Sequence, residues 1–289
     1  MSDQTSTPTL SRIQDPAPAA REEGVHVGEV GRLLRHSGYL TVRSVRTLLR
    51  QPAFAAMTLI QPIIWLLLFG QLFRNVIHVP GFTTASGDYL EFITPGVIVM
   101  TALFSSGWAG TVYIEDMNRG VMDRLLASPV SRGAMMIGTV AYQSLTTIVQ
   151  TLVVFGIAYA SGARFPGGVV GILVTVLAAC LISVVIASFS NAVALLVRQQ
   201  EALIGISQFI VLPLQFLSSA VMDTRVAPAW VRHVARYNPV DWATTGSRAA
   251  LSAHTDWGVV WPRLGALLAL AAVLAWLATR AFRTYQSSL

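Results

Sequence analysis

Six long apolar runs constrain this chain more than any other feature: Phe54–Phe73, Phe92–Tyr113, Ala134–Ala160, Gly168–Val197, Ala202–Met222 and Trp257–Thr279. A helix rises ~1.5 Å per residue, so about 20 such residues cross the ~30 Å hydrocarbon core of a bilayer. Inside hydrocarbon every backbone N–H and C=O must be satisfied within the protein, which makes spans of this kind helices. None of the six carries a charge near its centre, where one arginine costs about 2.5–3.5 kcal/mol. Arg263, near the start of the last run, can turn its guanidinium outward. Composition agrees: 12% of residues are charged and mean hydropathy is +0.59, whereas soluble domains carry about 25% charged residues. The expected fold is an all-α integral membrane protein. It has six transmembrane helices, an N-terminal interfacial helix, and short external helices between spans five and six. The fourth run exceeds what a bilayer needs and is expected to tilt or project. Arg198–Glu201 leaves room only for a tight helical hairpin.

The segments between the spans carry the charge. Met1–Gly24 is rich in Ser, Thr, Pro, Ala, Asp and Gln and reads as a disordered cytoplasmic tail, residues 1–24; it lacks the apolar core of a cleavable signal peptide, so none is expected. Residues 25–289 then form one membrane domain. In Val27–Arg50, Arg32, Arg35, Arg43, Arg46 and Arg50 fall within a sector of roughly 80° on a helical wheel, opposite Val30, Leu33, Leu34, Leu40, Val45 and Leu48. That split suits a helix lying in the membrane surface, residues 27–50; an amphipathic helix packed on protein is the alternative. In Asp223–His254, Pro228 can start a helix with Trp230, Val231, Val234 and Tyr237 on a face opposite Arg232 and Arg236. Asn238-Pro239-Val240-Asp241 reads as a fresh start: Asn at the cap, Pro in the first position, Asp in the first turn. These two helices suit the outer interface, with a plain solvated loop as the alternative.

All twenty basic residues are arginine. With the N-terminus inside, thirteen lie on the inner side and seven outside (Arg74, Arg164, Arg225, Arg232, Arg236, Arg248 and Arg263). Positive charge collects on the cytoplasmic side, so both termini are expected there. The net charge of +6 lies mainly beside the spans and gives no reason to expect a nucleic-acid partner. Cys180 is the single cysteine, so no disulfide forms within the chain. Without lysine a G-x-x-x-x-G-K-[ST] phosphate loop is excluded. No H-E-x-x-H, C-x-x-C or G-x-S-x-G occurs, and the five histidines are scattered outside the spans. Nothing therefore points to an enzyme or a metal site on this chain.

The spans carry neutral polar side chains instead of charges. Gln143, Thr147 and Gln150 share one face of the third span, while Ala179, Ser183, Ala187 and Asn191 form a small-residue stripe on the fourth. Hydrogen bonding and close packing between helices account for both. Recognition inside such a bundle rests on apolar area, at about 25 cal/mol per Å², with a few hydrogen bonds for orientation. Phe104, Gln143, Gln208 and Phe216 are the residues proposed for a cargo path.

The most informative polar stretch is Glu115–Gly138, between the second and third spans. It holds three acids (Glu115, Asp116, Asp123) and three arginines (Arg119, Arg124, Arg132). Asp116 or Asn118 can cap a short helix with Val121, Leu125 and Leu126 on one edge, and Pro129 stops it. A charged helix pinned between spans offers a partner protein something to grip.

Here the chain resembles the permease subunit of ABC-2 type exporters, and among them the daunorubicin-resistance-like drug exporters, from about Val27 to the C-terminus. The resemblance is carried by Glu115, Asp116, Gly120, Asp123, Leu125-Leu126, Ser128-Pro129 and Arg132, and more weakly by Thr94-Pro95-Gly96, Leu212-Pro213 and Asn238-Pro239. Thr139 stands where the family often has Lys, and Val121 where Thr is common. The resemblance implies a permease of a bacterial plasma membrane that pairs with a second permease copy or paralogue and with two separate ATPase subunits. Those subunits would bind ATP and Mg, leaving no cofactor on this chain. Glu115, Asp116, Arg119, Gly120, Asp123, Arg124, Leu125 and Leu126, with the interfacial helix, would contact them. The expected cargo is a hydrophobic or amphiphilic compound. A lipid-linked polysaccharide exporter of the same fold and a non-transporting receptor or scaffold are the alternatives, and a neighbouring ATPase or glycosyltransferase gene would discriminate among them.

Overall fold

The computed structural model describes residues 52–72, 89–121, 132–220 and 227–286. The expected tail, the interfacial helix and most of the loop after Gly120 lie outside the described residues. The described residues are almost wholly helical, with no strand among them. In chain order the helices are α1 (Pro52–Leu72), α2 (Tyr89–Gly107), α3 (Thr111–Asn118), α4 (Arg132–Ala160), α5 (Gly168–Val197), α6 (Gln200–Phe216), α7 (Ala229–Ala235), α8 (Pro239–Leu251) and α9 (Trp257–Gln286). Four stretches are long and apolar enough to cross a membrane: Tyr89–Asn118, Met136–Ala160, Gly168–Val197 and Trp257–Arg280. The two remaining expected spans fall on α1, whose apolar part Leu59–Leu72 is shorter, and on α6, 17 residues long.

Helix α5 is the axis of the bundle, and α2, α4, α8 and α9 all pack along it. Its sequence carries no charge over 30 residues, and only small or polar residues interrupt the aliphatic run. Gly171, Thr175, Ala178, Ala179, Ser183, Ala187 and Asn191 are buried, so neighbouring backbones approach closely. At its C-terminus Arg198 takes the left-handed conformation, φ 57°, and its N–H donates to Ala194 O. The extended Gln199 that follows starts α6, so this cap produces the tight hairpin.

The helix start expected at Asn238 is present. The Asn238 side chain accepts a hydrogen bond from Val240 N, with Pro239 at the first position and Asp241 in the first turn. Pro228 precedes α7 as its cap residue. Where the sequence suggests a surface helix, α8 is instead a core element: Val240, Ala243, Thr244 and Ser247 are fully buried. Its C-terminus sits on the start of α5, where Gly167 N donates to Leu251 O at 3.0 Å. That bond joins an orphan donor of one helix end to an orphan acceptor of another. Cβ atoms at Gly167 and Gly171 would stand 2.1 and 2.5 Å from Ala250 O, so side chains there would push α8 away.

Beyond α6 the chain is tied down at several points. Asn238 Nδ2 donates to Leu214 O and Leu217 O, Asp241 Oδ1 accepts from Ser219 N, and Arg248 donates to Phe92 O and Ala220 O. The Arg248 guanidinium also lies 3.7 Å from the Phe92 ring centroid. Gly96 makes this junction possible, because a Cβ there would lie 1.9 Å from Ala220 O. Gly96→Ala is expected to cost about 1–3 kcal/mol through overpacking, read as a lowered thermal-unfolding midpoint in detergent. Gly156→Ala, whose Cβ meets open space, is expected to leave the midpoint unchanged or raise it.

Candidate functional site

The expected second span is not one continuous helix. Helix α2 ends at Gly107 and α3 begins at Thr111, and the residues between close as tight turns. Ala109 N donates to Ser106 O, Thr111 N to Trp108 O and Tyr113 N to Gly110 O, each three residues back instead of four. The Thr111 hydroxyl donates to Trp108 O as well. Ser190 of α5 bridges the gap: its hydroxyl donates to Gly107 O at 2.7 Å and accepts from Gly110 N at 3.0 Å. The backbones nearly touch here, since a Cβ on Gly110 would stand 2.5 Å from Ser190 O. Two glycines flanking the turn and one hydroxyl opposite it supply the cause of the break.

About two turns back along α5, three hydroxyls meet. Ser183 Oγ lies 2.9 Å from Ser106 Oγ and 3.0 Å from Thr147 Oγ1, joining α5 to α2 and α4. Gln143 Nε2 donates to Ser105 Oγ at 3.1 Å. Thr139 Oγ1 donates to Tyr113 Oη at 2.9 Å, which ties α4 to α3. A polar seam therefore runs along α2 and α3 through the middle of the bundle. Ile114, Ala194 and Leu203 close it at the α3 end with a small apolar cluster.

Helix α3 and the two residues after it carry Glu115, Asp116, Arg119 and Gly120, four of the eight residues expected to meet a partner. Glu115 and Arg119 are exposed and form an i,i+4 ion pair at 3.5 Å. An exposed pair of this kind adds little stability, which leaves both groups available to a partner. Asp116 is half-buried on the adjacent face. Asp116 and Asn118 lie in the last turn of α3, whose own cap residue is Gly110; the short helix expected to follow them, with Leu125 and Leu126 on its edge, lies outside the described residues apart from its start. Gly120 then turns the chain with φ +66°, its N–H donating to Met117 O at 3.0 Å. Asp123, Arg124, Leu125 and Leu126 lie outside the described residues.

The four proposed path residues fall in two places. Phe104 is half-buried against the main core, and Gln143 sits beside it through the bond to Ser105. Gln208 and Phe216 stand on α6. Gln208 is half-buried with an unpartnered Oε1, and Phe216 is 68% exposed. No hydrogen bond joins the glutamine of α4 to that of α6. Helix α6 turns Ser207, Val211 and Gln215 inward and Phe209, Leu212 and Phe216 outward, with Ser207 and Val211 against Gly107 of α2. Ser207 Oγ and Gln215 Oε1 are buried without a hydrogen-bond partner among the described residues, as are both amide atoms of Gln150 and of Asn191. Buried polar atoms normally find partners, which sets these six apart from the bonded hydroxyls of the seam. Ser190 is the residue that sequence reasoning missed. Its only signal is a glycine pair, Gly107 and Gly110, inside an apolar run.

A sequence model of the ABC-2 type transporter family matches residues 36–252, so the chain belongs to that family. A daunorubicin resistance ABC transporter permease protein of Streptomyces coeruleorubidus is 26% identical over 224 residues, covering 78% of this chain and 77% of that one. A Porphyra purpurea protein described as the transport permease ycf38 is 28% identical, covering 72% of this chain and 70% of its own. A Mycobacterium tuberculosis protein described as a doxorubicin resistance ABC transporter permease is 24% identical, covering 66% and 67%. The chain is thus a multi-pass membrane permease of the ABC-2 type with drug-resistance transporters among its relatives.

Ser190→Ala would orphan Gly110 N and Gly107 O together. The expected loss is about 1–3 kcal/mol, measured as a lower thermal-unfolding midpoint of the purified protein. Ser144→Ala, which removes only a bond back to Val140 O in its own helix, is expected to change little.

Proposed function

We propose that this chain is the transmembrane permease subunit of an ATP-driven exporter and that it moves a hydrophobic or amphiphilic compound out of the cell. The observation that carries the reading is the exposed Glu115–Arg119 pair at the end of α3. It is offered to a partner on a helix that a braced break joins to the buried α2. A push on α3 pivots about Trp108–Gly110 and reaches the polar seam of α2, α4 and α5. Separate ATPase subunits, two per assembly and carrying ATP and Mg, supply the push, since this sequence has no phosphate loop of its own. Glu115, Asp116, Arg119 and Gly120 form the described part of the contact, and Asp123, Arg124, Leu125 and Leu126 continue it. A second permease copy or paralogue completes the path in the bacterial plasma membrane, with both termini in the cytoplasm.

The cargo class follows from the side chains available. Phe104, Phe216 and their neighbours provide apolar area. Gln143, Gln208, Ser207 and Gln215 provide neutral hydrogen-bonding groups without a full charge to pair a small ion. Drug-resistance permeases among the relatives support an amphiphile over a small polar solute.

Gly120→Pro is the sharpest test, because proline cannot adopt the observed φ of +66° and removes the N–H that Met117 O accepts. Co-expressed with its ATPase subunits, G120P and E115A are expected to insert at wild-type levels but lose efflux. Efflux is measured over a panel of compounds graded in charge and polarity. Undiminished efflux in the double variant, or export confined to small, highly charged solutes, would overturn the reading.

A further inference from the structure

Helix α7 has three faces where an ordinary surface helix has two. At about 100° per residue, Val231 and Ala235 share the inward face, half-buried and buried respectively. Trp230, Val234 and Tyr237 gather within a sector of roughly 60°, and they are 63%, 41% and 67% exposed. Arg232 and Arg236, one turn apart and exposed, occupy the side opposite that apolar sector. Val231, grouped with Trp230 in the sequence reading, thus belongs to the inward face. The helix presents one side to protein, a second to apolar surroundings, and a third to negative charge.

Its position fits that division. Through α8 and the Arg248 bonds, α7 belongs to the end of the bundle where α2 begins. It is separated from the Glu115 end by the ~28 Å length of α2. Trp257 and Trp261, stacked 5.8 Å apart and exposed, open α9 at the same end. Aromatic side chains in this arrangement mark a membrane–water boundary. Neither arginine of α7 makes an ion pair. The carboxylates placed at this end by hydrogen bonds are engaged elsewhere: Asp241 by Ser219 N, Glu91 by Arg164 N and Asp256 by Val259 N.

We propose that α7 lies in the surface of the leaflet opposite the Glu115 loop and that Arg232 and Arg236 hold the phosphate of an anionic phospholipid. Trp230, Val234 and Tyr237 rest among the acyl chains. Two guanidinium groups across the helix from its apolar edge match a headgroup with net negative charge seated above the acyl chains. A zwitterionic headgroup carries its own ammonium, which competes with the arginines for the same phosphate. The assignment stands apart from the transport reading, since it needs neither cargo nor ATPase.

The full-length protein is reconstituted in phosphatidylcholine vesicles containing brominated phosphatidylglycerol or, at the same mole fraction, brominated phosphatidylcholine. The fluorescence of Trp230 is isolated by subtracting that of W230F. Brominated phosphatidylglycerol is expected to quench this component at least about threefold more effectively. The preference is expected to vanish in R232Q/R236Q, to persist in R232K/R236K, and to shrink with added salt. Equal quenching by the two lipids, or a preference that survives R232Q/R236Q, would overturn the proposal. A Trp230 component untouched by either lipid would also overturn it, because α7 would then face water or a protein partner.

Discussion

Lipid tails are as apolar as leucine, so burying aliphatic side chains gives membrane helices little reason to associate. What remains is close backbone approach and hydrogen bonds, and in this protein both concentrate on α5. Small side chains from Gly171 to Asn191 let α2, α4, α8 and α9 lie against it. The hydroxyls of Ser183 and Ser190 then fix which residues meet. Ser190 has the larger consequence, because it stabilises an interruption in a neighbouring helix by satisfying both backbone groups that the interruption exposes. Without that hydroxyl, the turn at Trp108–Gly110 would leave a buried N–H and C=O unpaired, an arrangement hydrocarbon does not tolerate.

The two ends of the bundle are built differently, and the difference bears on how it works. Where α2 begins, Arg248, Asn238 and Asp241 bond backbone groups of α2 and of the segment ending α6, joining three elements through several polar contacts. At the other end α3 is held by the Tyr113–Thr139 bond and the Ile114, Ala194 and Leu203 cluster. The charged pair beyond them is exposed. Between the ends, α6 turns unpartnered polar atoms of Ser207 and Gln215 inward. The chain thus pairs a densely hydrogen-bonded end with an end whose charged residues are exposed, and a braced helix break lies between them.

Several features were legible in the residues alone because they depend on neighbours along the chain. Charge-free runs must be helical if they sit in hydrocarbon. Asn238-Pro239-Val240-Asp241 starts a helix because asparagine can accept a backbone N–H two residues on and proline has no N–H to lose. The stripe at Ala179, Ser183, Ala187 and Asn191 is fully buried, as four-residue spacing of small side chains predicts. The acidic and basic residues at Glu115 and Arg119 stand exposed on a helix end.

What only the tertiary structure decided has a single physical origin: it depends on residues far apart in sequence. Gly107 to Gly110 reads as ordinary helix until Ser190, eighty residues after Gly110, places a hydroxyl against it. Helix α8 has the composition of a surface segment, yet it is buried because Gly167 and Gly171 leave room for its carbonyl end. Gln143 and Gln208 looked alike as polar residues in spans; one is bonded to Ser105, and the other leaves its acceptor unpartnered. Sequence by itself determined that the chain crosses a membrane as helices and where charge interrupts them. The pairing of backbones, set by which glycine faces which carbonyl, determined where one of those helices breaks and which buried polar atoms are bonded across the bundle.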